Sequence, residues 1–293
     1  MDTVSIHKRD VVFTNFFGIS IGIVCFLLIL ARGFFVKNYA GEVLILEFVS
    51  IFLFFVVFGL FFSQFLLTRL LEILCFSLGI FFCCTFEVLQ NILLNFVKVD
   101  TASGINEILA LSHIIEMILF TTCCCLAVIL RMRSPQKLDS NAVVIQVGLG
   151  ALLISTVTSV SLFFYISPLI HNPAQEFIFM RISLFLYIVS QFVLIATLIL
   201  HGVTIIIRKQ GGLGWNSCAL VFIFLSNWHA YQVISLGDKL ADGLLFKTGA
   251  FIIFLLGAIN EYRLMFRERI EYTQTLERAI TEQAKEVLQR REI

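Results

Sequence analysis

Ionisable and strongly polar side chains recur inside the apolar runs of this 293-residue chain. Each is costly to hold in hydrocarbon, so each is a candidate for function by default. The set comprises Glu47, Glu87, Gln90, Asn91, His113, Glu116, Arg181, Asn227, Trp228, His229, Gln232 and Lys247. Two spacings sharpen it. His113 and Glu116 lie three apart, as do Glu87 and Gln90 with Asn91 one position beyond, and such neighbours share a helical face. Carboxylates, imidazoles and an ammonium converging in a bundle hold a small polar or charged ligand. The ligand-binding candidates are therefore Glu87, Gln90, Asn91, His113, Glu116, Arg181, Trp228, His229 and Lys247. For any single one of them, interhelical hydrogen bonding worth about 0.6 kcal/mol is the plainer reading. Their common depth favours a site.

Other chemistries fit less well. Imidazole and carboxylate suit several divalent ions, and His113, Glu116, His229 and Glu87 form a chemically possible set, but no HExxH-type motif supports it and no metal site is expected. Lys247 has the look of a Schiff-base lysine, yet it sits near the outer end of its span and no Asp lies in any span interior as counter-ion. Cys123, Cys124 and Cys125 project about 100° apart around a helix and cannot all ligate one ion. His201 reads as a solitary packed histidine. No serine–histidine–aspartate order, phosphate-cradling glycine loop or kinase motif occurs, so no catalytic residue is expected, and the sequence names no cofactor.

The elements that must position these residues follow from composition. The chain is 59% hydrophobic and 14% charged, with three prolines and a mean hydropathy of +0.96, against about 25% charged residues in a soluble domain. A soluble fold is excluded. Only helices and closed barrels satisfy their backbone in lipid, and the alternating ten-residue segments of a barrel are absent. The fold class is all-α, a polytopic helical membrane bundle. Eight spans are expected, at about 13 to 31, 42 to 63, 70 to 96, 105 to 130, 142 to 166, 181 to 207, 215 to 236 and 244 to 264, each able to cross roughly 30 Å of hydrocarbon. The first is a span and not a removable signal, since no small-residue cleavage site follows it. The eight cysteines all fall in or beside apolar runs and behave as small hydrophobes. A net charge of +1 without a basic stripe argues against a nucleic-acid partner.

Lys8, Arg9, Arg69, Arg131, Arg133, Lys137, Arg208, Lys209, Arg263, Arg267 and Arg269 fall on one side of the eight-span arrangement. Cytoplasmic loops hold the excess of Lys and Arg, so both termini are expected in the cytoplasm. On that orientation the candidate residues occupy the outer half of the membrane, while the inner half reads as aliphatic, Phe and Cys. Residues 1–262 then form the membrane domain, and 263–293 a cytoplasmic helix with no Gly or Pro to stop it. Its apolar seam, Phe266, Ile270, Leu276, Ile280, Ala284 and Val287, has the threes-and-fours spacing of a two-stranded coiled coil, with an irregularity near Thr273. A parallel homodimer is the expectation.

A bundle of this size feeding directly into a cytoplasmic helix resembles the bacterial membrane-associated sensor (MASE) domains, closest to their third class. That class tends to open its last span Gly-His-x-x-Lys, where Gly243-Leu244-Leu245-Phe246-Lys247 stands here, and to carry Arg then Glu in its fourth span, where His113 and Glu116 stand. The resemblance implies a sensory input domain in the bacterial inner membrane, homodimerisation, and a histidine-kinase or diguanylate-cyclase output domain, or a response regulator, downstream. The competing class is a small-solute transporter or channel using the same cluster. A third is a lipid-modifying enzyme working with His113, Glu116 and His229.

Overall fold

The computed structural model describes residues 40–94, 102–133, 137–138, 140–162, 164, 173–208, 213–236 and 240–291. Seven helices in it are long and apolar enough to cross a membrane, by length and composition, and the chain is a multi-pass helical membrane protein. They are α1 (Ala40–Thr68), α2 (Leu71–Leu94), α3 (Ala102–Met132), α4 (Asn141–Ser161), α5 (Pro173–Arg208), α6 (Leu213–Leu236) and α7 (Leu240–Arg291). They correspond in order to the second to eighth expected spans. The first, at 13 to 31, lies outside the described residues.

Two helices depart from expectation in length. α5 starts at Pro173, eight residues before the expected 181, because proline lacks the amide that a first helical turn leaves unbonded and its φ is already helical. α7 runs unbroken for 52 residues, about 78 Å at 1.5 Å per residue. The expected last span and the charged helix after it are thus one rod.

Between α1 and α2 the chain turns at Arg69, whose φ of 59° is left-handed. The strain is offset locally. Arg69 donates its amide to Phe65 O at 2.6 Å, its carbonyl accepts from Leu138 N at 2.9 Å, and its Nη1 donates to Asn141 Oδ1 at 2.7 Å. Leu70 and Lys137 form an isolated antiparallel bridge beside it. The α1–α2 and α3–α4 connections are thereby tied at one end of the bundle.

α3 lies at the centre, packed against α2, α5 and α6, while α7 packs on α6 and α1. The core is aromatic. Phe54 meets Phe251 edge to face with centroids 4.1 Å apart, and Phe76, Phe120 and Phe254 continue the stack across four helices. α4 packs chiefly against α2. It buries Ala151, Ser155 and Ser159, with Thr85 Oγ1 donating to Ser155 Oγ at 2.9 Å, and turns Leu149, Leu153 and Val157 outward.

α2 and α3 touch at Gly79. A Cβ there would lie 3.0 Å from Cys123 Cβ and 3.3 Å from the Phe120 carbonyl oxygen, so backbone meets backbone with no room for a side chain. Two turns further along this antiparallel pair stand Glu87 and Glu116, whose separation the close approach sets. Gly79→Val is expected to cost about 1–3 kcal/mol through overpacking, measured by reversible unfolding in mixed micelles against the wild type.

Candidate functional site

Three helices bring their charges to one point. Lys247 Nζ, in the second turn of α7, donates to Glu87 Oε1 of α2 at 3.0 Å and to Glu116 Oε2 of α3 at 2.7 Å. Lys247 is 2% exposed, so neither water nor lipid headgroups share its charge. The ammonium lies 5.1 Å from the centroid of Phe54 on α1, a distance at which a ring face attracts a cation. Beside it, Ser50 and Thr248 hydroxyls meet at 2.9 Å and join α1 to α7.

His113 extends the network to α6. Its Nε2 lies 2.8 Å from Ser226 Oγ, and that hydroxyl donates to the Gly243 carbonyl at 2.6 Å. A hydroxyl has one proton and a carbonyl only accepts, so Nε2 is the donor to Ser226. The other ring nitrogen, Nδ1, faces Glu116 Oε2 at 3.7 Å. With a neutral ring, two carboxylates face one ammonium and the group holds one negative charge in excess; a single further proton on the His113–Glu116 pair balances it. The buried network joins four helices: α2, α3, α6 and α7.

The other expected site residues divide by azimuth. Gln90 is buried, its Nε2 without a hydrogen-bond partner among the described residues. His229 is half-buried and stacks on Phe246, centroids 5.3 Å apart and planes at 14°. Trp228 is exposed, with its ring beside Tyr187. Arg181 is likewise exposed, its guanidinium 4.2 Å from the Phe177 centroid. Asn227 donates from Nδ2 to Ser190 Oγ at 2.7 Å, an interhelical bond between α6 and α5. Gln232 is half-buried. Glu47 and Asn91 lie on α1 and α2, but their side chains are outside the described residues. Among the described residues no three His, Cys, Asp or Glu side chains are placed to hold a metal ion; Glu87 and Glu116 converge on an ammonium.

The opposite end of the bundle, expected to be mostly aliphatic, Phe and Cys, also holds a polar cluster. A cavity of about 40 Å³ is lined there by Glu72, Arg131, His201, Asn216 and Glu261 among Phe61, Ile73, Phe76, Ala127 and Val128. Every described helix except α4 contributes to its wall. Arg131 Nε stands 3.9 Å from Glu72 Oε1. His201 is fully buried and is not solitary. Spacing along the sequence gave no pointer to this cluster, because its members come from five helices and no two are helical neighbours.

Comparison with family models, with curated proteins and with solved structures finds no match.

Proposed function

We propose that the chain is the sensory input module of a bacterial signal-transduction protein, of the histidine-kinase or diguanylate-cyclase kind, lying in the inner membrane with both termini cytoplasmic. One observation carries the reading: the buried ammonium gripped by two other helices belongs to α7, the same unbroken helix that continues through the bundle to Arg291. A stimulus that changes how Glu87 and Glu116 hold Lys247 acts directly on the rod that leaves the membrane. No intermediate coupling element is needed. A ligand shifts such an equilibrium only by its difference in affinity between two states, and a charged network with one proton to gain or lose supplies two arrangements of unlike charge.

Dimerisation is part of the proposal. On the emergent part of α7, Phe266, Ile270, Leu276 and Ile280 are all about half exposed, and Ala284 is exposed as well. A second copy packed along this seam in parallel removes them from water. The side chain of Val287 lies outside the described residues. The resemblance to MASE domains agrees with this arrangement.

The test is a fusion of the chain at Ile293 to a histidine-kinase catalytic core lacking its own input domain, reconstituted in nanodiscs. Replacing Glu87 and Glu116 by Gln, His113 by Gln and Lys247 by Met together is expected to fix autophosphorylation at a level differing from the wild type by on the order of 5-fold or more. An unchanged output sinks the proposal. The alternative, a solute transporter, draws on the same buried charges, which in membranes also mark ion and proton paths. Flux through the unfused chain in proteoliposomes distinguishes the two, since a sensor passes nothing.

A further inference from the structure

The cavity at the far end from Lys247 has the chemistry of a binding site separate from the buried charge network. Its wall is acidic on balance, with Glu72 and Glu261 against Arg131. Arg131 already stands near Glu72, so an incoming anion meets two carboxylates and a guanidinium that is engaged.

His201 adds an independent indication. Its Nδ1 lies 3.0 Å from the Thr197 carbonyl oxygen, which can only accept, so Nδ1 carries a proton. In the neutral ring the lone pair then sits on Nε2. That atom is buried with no hydrogen-bond partner among the described residues, on a fully buried ring that lines the cavity. Unpaired buried acceptors are uncommon in folded proteins and each needs an explanation, of which a bound donor is one. Asn216, 8% exposed, places an amide in the same wall.

Size restricts the occupant. One water needs about 10–15 Å³ of such space, so a cavity of about 40 Å³ takes some three water-sized groups. We propose that it binds a small monocation that donates hydrogen bonds, an ammonium or short primary alkylammonium ion, held by Glu261 and Glu72 and donating to His201 Nε2. Phe61 and Phe76 close its apolar side. An alkali ion satisfies the carboxylates but cannot donate to the imidazole, so the site prefers the ammonium class. Because Glu261 belongs to α7, occupancy loads the helix that leaves the bundle.

Thermal unfolding of the full chain in lipid nanodiscs tests this with ammonium, methylammonium, potassium and tetramethylammonium chlorides at equal ionic strength. Ammonium and methylammonium are expected to raise the midpoint in a saturable way, as binding to the native state alone must. Potassium raises it less, and tetramethylammonium, too large and without donors, not at all. Glu261→Gln, which keeps shape and removes the charge, abolishes the rise, and His201→Leu does the same if that variant folds. Equal shifts with potassium overturn the assignment of class, and an ammonium-specific shift that survives Glu261→Gln overturns the assignment of place. No saturable shift with any salt overturns the proposal outright. These readouts need no signalling output, so their failure leaves the sensory reading where it stands.

Discussion

Replacing Lys247 by Met is expected to destabilise the bundle by about 3–5 kcal/mol, the cost of leaving buried charge without its partner. Two carboxylates lose one ammonium at 3.0 and 2.7 Å, and neither reaches water, since Glu87 and Glu116 are 5% and 2% exposed. The damage comes from the charges left behind more than from the missing attraction. The triple variant with Glu87→Gln and Glu116→Gln added to Lys247→Met is therefore expected to recover most of the loss, because a neutral set of similar volume removes the uncompensated charge. Of the single carboxylate changes, Glu116→Gln should cost more than Glu87→Gln, since Glu116 makes the shorter bond and also faces His113. Reversible unfolding in mixed micelles at one lipid composition ranks the four variants. A triple variant as unstable as Lys247→Met alone shows that the network acts by shape and not by charge.

The second large effect is expected at Gly257. A Cβ there falls 2.8 Å from Trp215 Cβ and 3.2 Å from its Cγ, closer than side-chain atoms pack, so even Gly257→Ala forces α7 away from the start of α6. Overpacking of this kind costs about 1–3 kcal/mol. Glu261 stands one turn further along α7 and Asn216 next to Trp215, so the same displacement pries open the wall of the cavity. Trp215→Gly removes both obstructing atoms, Cβ and Cγ. In a double-mutant cycle the pair Gly257→Ala with Trp215→Gly should be more stable than the sum of the single effects predicts, with an interaction of about 0.5–3 kcal/mol. Simple additivity places the strain elsewhere.

Most of the architecture can be read from the chain because lipid leaves it few choices. A long apolar run must be a helix, and seven of the expected spans coincide with α1 to α7 to within a few residues, apart from the early start of α5 at Pro173 and the run of α7 on to Arg291. The depth of a side chain is read in the same way, by counting along the run. Azimuth cannot be counted. Trp228, Arg181 and Lys247 were expected at one depth, yet only Lys247 turns into the core, because direction depends on which helices pack together. Glu87, His113, Glu116 and Lys247 come together as their spacing and depth lead one to expect. Ser226, which fixes His113, is not legible in the sequence, because a serine in an apolar run has no signature of its own. The cavity at the other end is illegible for a related reason. Glu72 and Arg131 lie at helix ends and Glu261 near the end of the last expected span, where charge is ordinary, and His201 by itself looks like packing. Only tertiary structure gathers them.

The buried face of α7 has one more consequence. Lys247 and Glu261 are joined by an inward stripe of Ala250, Phe251, Phe254 and Ala258, and their separation of fourteen residues is close to four whole turns of 3.6. The two charged ends are therefore in phase. Sliding α7 along its axis shifts both together, and turning it swings both away from their partners at once, so the helix cannot release one site by rotation while keeping the other. A single residue inserted between them would put the ends about 100° out of step and turn the whole emergent helix by the same angle. The length of this segment is thus constrained by angle as well as by membrane thickness.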